Sequence, residues 1–127
     1  VGDMLGKGDD PLDRIEEFLC RRIELISERP ELLKLLFSDD LAKIGPEEAA
    51  DQVRQLKRRS MTFVLNQFRL AQQEGLIAAE VSPEDLLFLA HGTALASVFS
   101  AEDVEAVVGE ELEPTSAIES LFRMLRD

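Results

Sequence analysis

Residues 71–100 read AQQEGLIAAEVSPEDLLFLAHGTALASVFS, an order that predicts the end of one helix and the start of another. Gly75 suits the left-handed position that follows a helix C-terminus. Ser82 is a typical N-capping residue, Pro83 fits the first helical position, and Asp85 gives a short-acid version of the capping box. We therefore expect two helices joined by a short turn.

The second of these helices carries no charged residue from Leu86 to Ser100. A helix without a charged face must be covered on both sides in a soluble protein. On a helical wheel, one side gathers mostly small residues: Leu89, Gly92, Thr93, Ala96, Ser97 and Ser100. The opposite side suits the core of the domain: Leu87, His91, Ala94, Leu95 and Val98. We expect a second copy of the chain to cover the small-residue side, the alternative being that the last helix covers it within a monomer.

The remaining sequence predicts helices almost throughout and no strand alternation. Helices are expected from Pro11 to about Arg29, from Pro30, from about Pro46 to Glu74, between Ser100 and Gly109, and at the C-terminus. The last one has Ser116 and Glu119 as its predicted capping box. The expected fold class is all-α, a bundle of about five to six helices.

Composition restricts the function. The length of 127 residues indicates one domain, and the net charge is -12, from 26 acidic and 14 basic side chains. Such a surface repels phosphate backbones and anionic membranes, so these residues should not read DNA themselves. With Cys20 as the single cysteine, an internal disulfide is impossible, which suits a reducing cytoplasm. No signal peptide or transmembrane run is present, and the initial Val1 suggests a fragment or processed product.

Four features together resemble a known family. They are the helix start at Arg29–Leu33, the long helix ending at 71–77, the Ser82–Asp85 cap into an apolar helix containing Gly92, and the closing amphipathic helix. In order and spacing, the chain resembles the C-terminal ligand-binding and dimerisation domain of the TetR family of transcriptional regulators. Residues 1–10 would then be the end of a connector helix and a linker, and residues 11–127 the effector-binding and dimerisation domain.

The resemblance implies a cytoplasmic regulator, more often a repressor than an activator, that has no cofactor. It implies a homodimer formed through the last two long helices as a four-helix bundle. A small molecule would enter between the helices and release operator DNA, which is contacted only through an N-terminal domain absent from this chain. The predicted interface residues are Leu89, Gly92, Thr93, Ala96, Ser97, Ile118, Leu121, Phe122 and Leu125.

Polar side chains within the apolar stripes indicate where a ligand could bind, because each needs a partner. The predicted site contains Phe18, Arg22, Ile26, Ser60, Phe63, Gln67, Leu87 and His91. The chain has no Trp or Tyr, so we expect a weakly polar aliphatic or aromatic ligand. A pocket around Arg22 that binds an acid is a second interpretation of the same residues. Alternatively, Arg22 pairs with a carboxylate or extends to the surface, His91 is a satisfied core residue, and Ser60 and Gln67 bond backbone carbonyls or face solvent.

Two further features have a functional and a plain interpretation. Cys20 lies beside Arg21 and Arg22, which could activate its thiol for redox or electrophile sensing, or it is simply half-buried. A basic patch could meet DNA phosphates or an acidic ligand, or form exposed pairs with Glu47, Glu48 and Asp51. This basic patch comprises Arg54, Lys57, Arg58, Arg59 and Arg69.

Catalysis has little support in this sequence. We find no paired carboxylates that a cleft could bring together, no Ser-His-Asp set, no metal-binding Cys/His spacing and no Gly-rich phosphate loop. The alternative to a sensor is a helical dimerisation or protein-interaction module without a small-molecule ligand. An apolar cavity of roughly 300 Å³ or more, lined from the helices that carry Arg22, Gln67 and His91, would distinguish the two.

Overall fold

The computed structural model describes residues 10–29 and 47–126. These residues form five helices and no strand: α1 (Pro11–Glu28), α2 (Glu47–Gln73), α3 (Pro83–Phe99), α4 (Ala101–Val108) and α5 (Ser116–Arg126). The all-α prediction is confirmed for this part of the chain. The predicted connector helix, the short helix from Pro30 and the exact start of the long helix at Pro46 lie outside the described residues.

Local capping chemistry sets the helix ends that the sequence predicts. The Asp10 carboxylate accepts a hydrogen bond from the Asp13 amide at 2.8 Å, and the Ser82 hydroxyl accepts one from the Asp85 amide at 3.0 Å. Each bond satisfies an amide that would otherwise have no partner in the first helical turn.

Both backbone and side-chain hydrogen bonds stabilise the turn between α2 and α3. Gly75 has a φ of +74°, and the Leu76 amide donates to the Ala71 carbonyl at 2.9 Å, as in a Schellman ending. The Gln72 side-chain amide donates to the carbonyl of Ala78 at 3.1 Å and also to that of Val81. One side chain of α2 therefore spans the whole turn.

The predicted capping box of the last helix is not the contact seen at this helix end. Ser116 is the first residue of α5 and is exposed. The preceding Thr115 is buried, and its hydroxyl donates to the Glu119 carboxylate at 2.7 Å. This bond joins two side chains, so Glu119 is engaged by Thr115 and not by Ser116.

The core lies between α1, α2, α3 and α5. Six apolar residues that recur every three or four positions along α1 are buried: Leu12, Ile15, Phe18, Leu19, Ile23 and Ile26. The last helix packs on α1 and α3 of its own chain. Its end is tied to α1 by Arg126, which donates to Glu16 at 2.8 Å and also pairs with Asp13.

Helix α3, which carries no charged residue from Leu86 onward, has one covered and one open face. Leu86, Ala90 and Ala94 are buried, whereas Phe88 and Leu89 are 78% and 52% exposed. The residues predicted for the core side sit beside this buried row; Leu87, His91, Leu95 and Val98 are half-buried and Ala94 is buried. None of the described helices is long and apolar enough to cross a membrane.

Candidate ligand pocket

A cavity of about 270 Å³ opens between α1, α2 and α3. α1 contributes Phe18, Leu19 and Arg22 to its wall. The remaining lining residues come from α2 and α3: Leu56, Lys57, Ser60, Met61, Val64, Leu87, Ala90, His91, Ala94, Leu95 and Phe99. A mostly apolar wall with a few polar groups is the usual composition of a small-molecule site.

The structure brings five of the eight predicted site residues to this cavity: Phe18, Arg22, Ser60, Leu87 and His91. The other three do not line it. Ile26 is buried, with 2% of its surface exposed. Phe63 packs edge-on against Phe18, with the ring centroids 5.2 Å apart. Gln67 accepts a hydrogen bond from Arg14 at 3.2 Å, so its side chain joins α2 to α1.

Arg22 is the principal polar residue of the cavity wall. Its guanidinium carbon lies over the Phe18 ring, 4.9 Å from the centroid, a distance at which cation–π attraction operates. Burial lowers the pKa of Arg22 from its ordinary value. Within residues 10–29 and 47–126, no carboxylate pairs with this guanidinium, so the carboxylate-pair alternative is not realised there.

His91 and Ser60 complete the polar part of the wall. Burial, followed by the nearby charges of Lys57 and Arg22, lowers the pKa of His91 below 6.5, which keeps the imidazole neutral at pH 7. The Ser60 hydroxyl donates to the Leu56 carbonyl at 3.0 Å, as the plain interpretation predicts. Its oxygen can still accept a hydrogen bond.

Sequence reasoning missed nine lining residues: Leu19, Leu56, Lys57, Met61, Val64, Ala90, Ala94, Leu95 and Phe99. Lys57 is the most informative of them, since it was assigned to the exposed basic patch. Lys57 precedes Ser60 by three residues and Met61 by four, so these residues share one face of α2. Its spacing from Ser60 could have indicated that Lys57 lines the cavity.

The thiol of Cys20 is not activated. Burial and the charges of Glu16, Glu119 and Glu24 raise its pKa to about 12. The suggestion that Arg21 and Arg22 lower this pKa is therefore wrong, because the acidic neighbours and desolvation outweigh them. The half-buried interpretation holds.

Most of the basic patch is exposed, and two of its members form surface ion pairs. Arg54 pairs with Asp51 at 2.7 Å and Arg69 with Glu84 at 3.4 Å. Arg58 and Arg59 are exposed, whereas Lys57 is half-buried at the cavity. The described residues hold no group of three His, Cys, Asp or Glu side chains placed to bind a metal ion.

A family model described as Tetracyclin repressor-like, C-terminal domain, matches residues 15–125, nearly the whole chain. The chain belongs to the TetR-like C-terminal domain family. Domains of the TetR-like C-terminal family are the ligand-binding and dimerisation parts of transcription regulators, so the resemblance inferred from the helix order is confirmed. No curated protein and no solved structure matches the chain.

Proposed function

We propose that residues 11–127 are the effector-sensing and dimerisation domain of a cytoplasmic transcriptional repressor that releases DNA when a small molecule binds. The cavity between α1, α2 and α3 carries this proposal. Its volume of about 270 Å³ lies just below the usual range for ligand sites, roughly 300–1,000 Å³. A small molecule that fits it would contact three helices at once.

Release of DNA requires that the ligand distinguish two arrangements of the domain. A ligand shifts an equilibrium only by its difference in affinity between the two states. The cavity suits this role because α1 and the α2–α3 pair each supply part of its wall. A change in their separation would change the contacts of a bound molecule.

The test of the cavity is a thermal-shift screen against a panel of small molecules. A ligand that binds only the folded state raises the melting temperature by mass action. Ala94→Leu and Leu95→Phe, which narrow the cavity, should abolish the shift, while Gln67→Ala, outside the lining, should retain it. Urea unfolding shows that each variant is folded. A panel hit that all variants retain equally would place binding elsewhere and count against the proposal.

The open face of α3 supports the dimer. Among the predicted interface residues, Leu89, Gly92 and Ala96 are exposed. The hydroxyl of Thr93 donates to the Leu89 carbonyl at 2.6 Å and that of Ser97 to the Thr93 carbonyl at 2.7 Å. Since both hydroxyl hydrogens are bonded within the helix, this face can meet an apolar partner without leaving a donor unsatisfied.

Two of the predicted interface residues are not accessible to a second chain. Ile118 and Phe122 are 0% exposed within a single chain, because the amphipathic face of α5 turns into its own core. Leu121 and Leu125 are half-buried. In our proposal the interface is instead extended by exposed apolar neighbours, Phe88 and Phe99 of α3 and Met124 of α5.

Sedimentation velocity tests the dimer. Ala96→Glu puts a charge in the middle of the proposed interface and should give a monomer, because a buried unpaired charge is costly. Asn66→Glu, on an exposed position of α2, is the matched control and should remain dimeric. A wild-type chain that is monomeric at all concentrations would contradict this part of the proposal. A dimer in which no panel compound acts through the cavity would favour the interaction module.

A further inference from the structure

The cavity collects basic side chains from three separate helices. Arg22 comes from α1, Lys57 from α2 and His91 from α3. Among the described residues that line the cavity, none is Asp or Glu. This is unexpected in a chain with 26 acidic and only 14 basic side chains, so the local charge is opposite to that of the whole protein.

Arg22 has unused hydrogen-bonding capacity in the described part of the chain. Its contact with Phe18 engages the charge of the guanidinium, but a ring accepts few of the five N–H donors that Arg carries. A guanidinium presents these donors in a planar fork that matches a carboxylate. A carboxylate within the cavity would therefore satisfy a group that the described residues leave open.

The surroundings of the cavity disfavour the charged forms of its basic groups. Burial disfavours the charged form of Arg22, and Lys57 and Arg22 both disfavour protonation of His91. The like charges of Arg22 and Lys57 beside a mostly apolar wall raise the free energy of the empty site. An anion would relieve this repulsion on binding, whereas a cation would increase it.

The remaining residues of the cavity wall determine what kind of body the ligand can have. Apart from the three basic residues and Ser60, every described lining side chain is apolar, including Leu56, Val64 and Leu95. Such a wall favours a hydrocarbon or ring over a polyhydroxylated or multiply charged molecule. An inorganic anion would leave most of the cavity surface without a contact.

We propose that the cavity binds a small organic carboxylate, with its apolar body among the leucines and its carboxylate against Arg22, assisted by Lys57 and His91. This inference rests on the proposed effector-sensing function and narrows its ligand to one chemical class. The sequence alone indicated a weakly polar ligand and left an acid-binding pocket around Arg22 open; the structure adds Lys57 and His91 beside Arg22.

The test compares three probes that share one body and differ in the head group: octanoate, 1-octanol and octylammonium. Their affinities for the full chain are measured by isothermal titration calorimetry and by thermal shift. Charge-assisted hydrogen bonds should make octanoate at least about tenfold tighter than 1-octanol, and octylammonium should be the weakest.

The variants show whether Arg22 is responsible. Arg22→Met keeps the apolar stem and removes the charge, so it should bring octanoate and 1-octanol to similar affinities. Arg21→Gln removes an exposed charge from the adjacent position and should leave the preference unchanged. Arg22→Lys keeps the charge without the fork and should retain only part of the preference. Urea unfolding of each variant shows that the fold is intact.

Equal affinity for octanoate and 1-octanol, or an anion preference that survives Arg22→Met, would overturn this inference and leave the sensing function standing. Failure of all three probes, while a neutral panel compound binds through the cavity, would have the same meaning. If no compound of any class acts through the cavity, the proposed function fails together with the inference.

Discussion

The ring of Phe122, on the last helix, lies nearly parallel to the ring of Phe68 on the long helix, with the centroids 6.1 Å apart and the planes 9° apart. Both side chains are 0% exposed. This contact makes α5 part of the domain core. The last helix is therefore not an arm that could detach to pair with another chain without opening the interior.

Phe122→Ala should destabilise the chain by about 3–5 kcal/mol, because it removes a fully buried ring and leaves a cavity beside Phe68. Urea unfolding followed by circular dichroism measures this loss. Ser120→Ala, at an exposed position on the same helix, should change the free energy of unfolding by less than about 0.5 kcal/mol. A similar small effect for both variants would mean that the ring does not belong to the core.

Gly92→Ala should have opposite effects on the fold and on the dimer. A glycine inside a helix costs about 0.5–1 kcal/mol relative to alanine, and a Cβ at this position would meet nothing within 4 Å in a single chain. The unfolding free energy of the monomer should therefore rise. If α3 packs closely against its copy, the added methyl group should weaken the dimer, as sedimentation equilibrium would show. Unchanged or tighter self-association would argue against a close contact at Gly92.

His91 should make the chain less stable as the pH falls below neutrality. Burial and the charges of Lys57 and Arg22, which face it from α2 and α1, hold the folded-state pKa of His91 below 6.5. As the pH falls through 6.5, the unfolded chain binds a proton that the folded chain does not, so the free energy of unfolding decreases. The decrease is complete below the folded-state pKa.

The measurement is the urea midpoint of the wild type and of His91→Gln at pH 7.5 and 5.5. Other titrating groups are common to both proteins and cancel in the comparison. The wild type should lose more stability than the variant between these two pH values. Parallel curves would show that His91 titrates normally in the folded state.

Cys20 should react slowly with iodoacetamide at pH 8. A thiol with a pKa of about 12 holds little thiolate at that pH, and the thiolate is the reactive form. We expect alkylation on the order of a hundredfold slower than in the urea-unfolded chain, where the thiol has its ordinary pKa. Intact-mass spectrometry follows both reactions. Equal rates in the two states would restore the sensor interpretation of this cysteine.

Helix ends were predictable because their causes are local. Gly75 and Ser82 act within a few residues of themselves, and the structure shows both in their predicted roles. At the last helix the expected partner of Glu119 was Ser116, whereas the buried Thr115 contacts it.

The cavity was only partly predictable. Periodicity gives the face on which a residue lies, and this was enough for Arg22 and His91. It does not give the height at which one helix crosses another, so Gln67 was placed at the cavity although its side chain meets Arg14. The same limit hid Lys57, which was assigned to the basic patch, and Phe99, for which no role was predicted; both line the cavity.

The amide of Gln72, which spans the turn after α2, has a mechanical consequence. Its bonds to the carbonyls of Ala78 and Val81, together with the left-handed Gly75, make the two helices that meet there a single stiff hairpin. Filling the cavity should then tilt α1 against this hairpin rather than spread the hairpin itself. Because its first turns are held to Arg126 through Asp13 and Glu16, α1 would pivot about the end that adjoins Asp10.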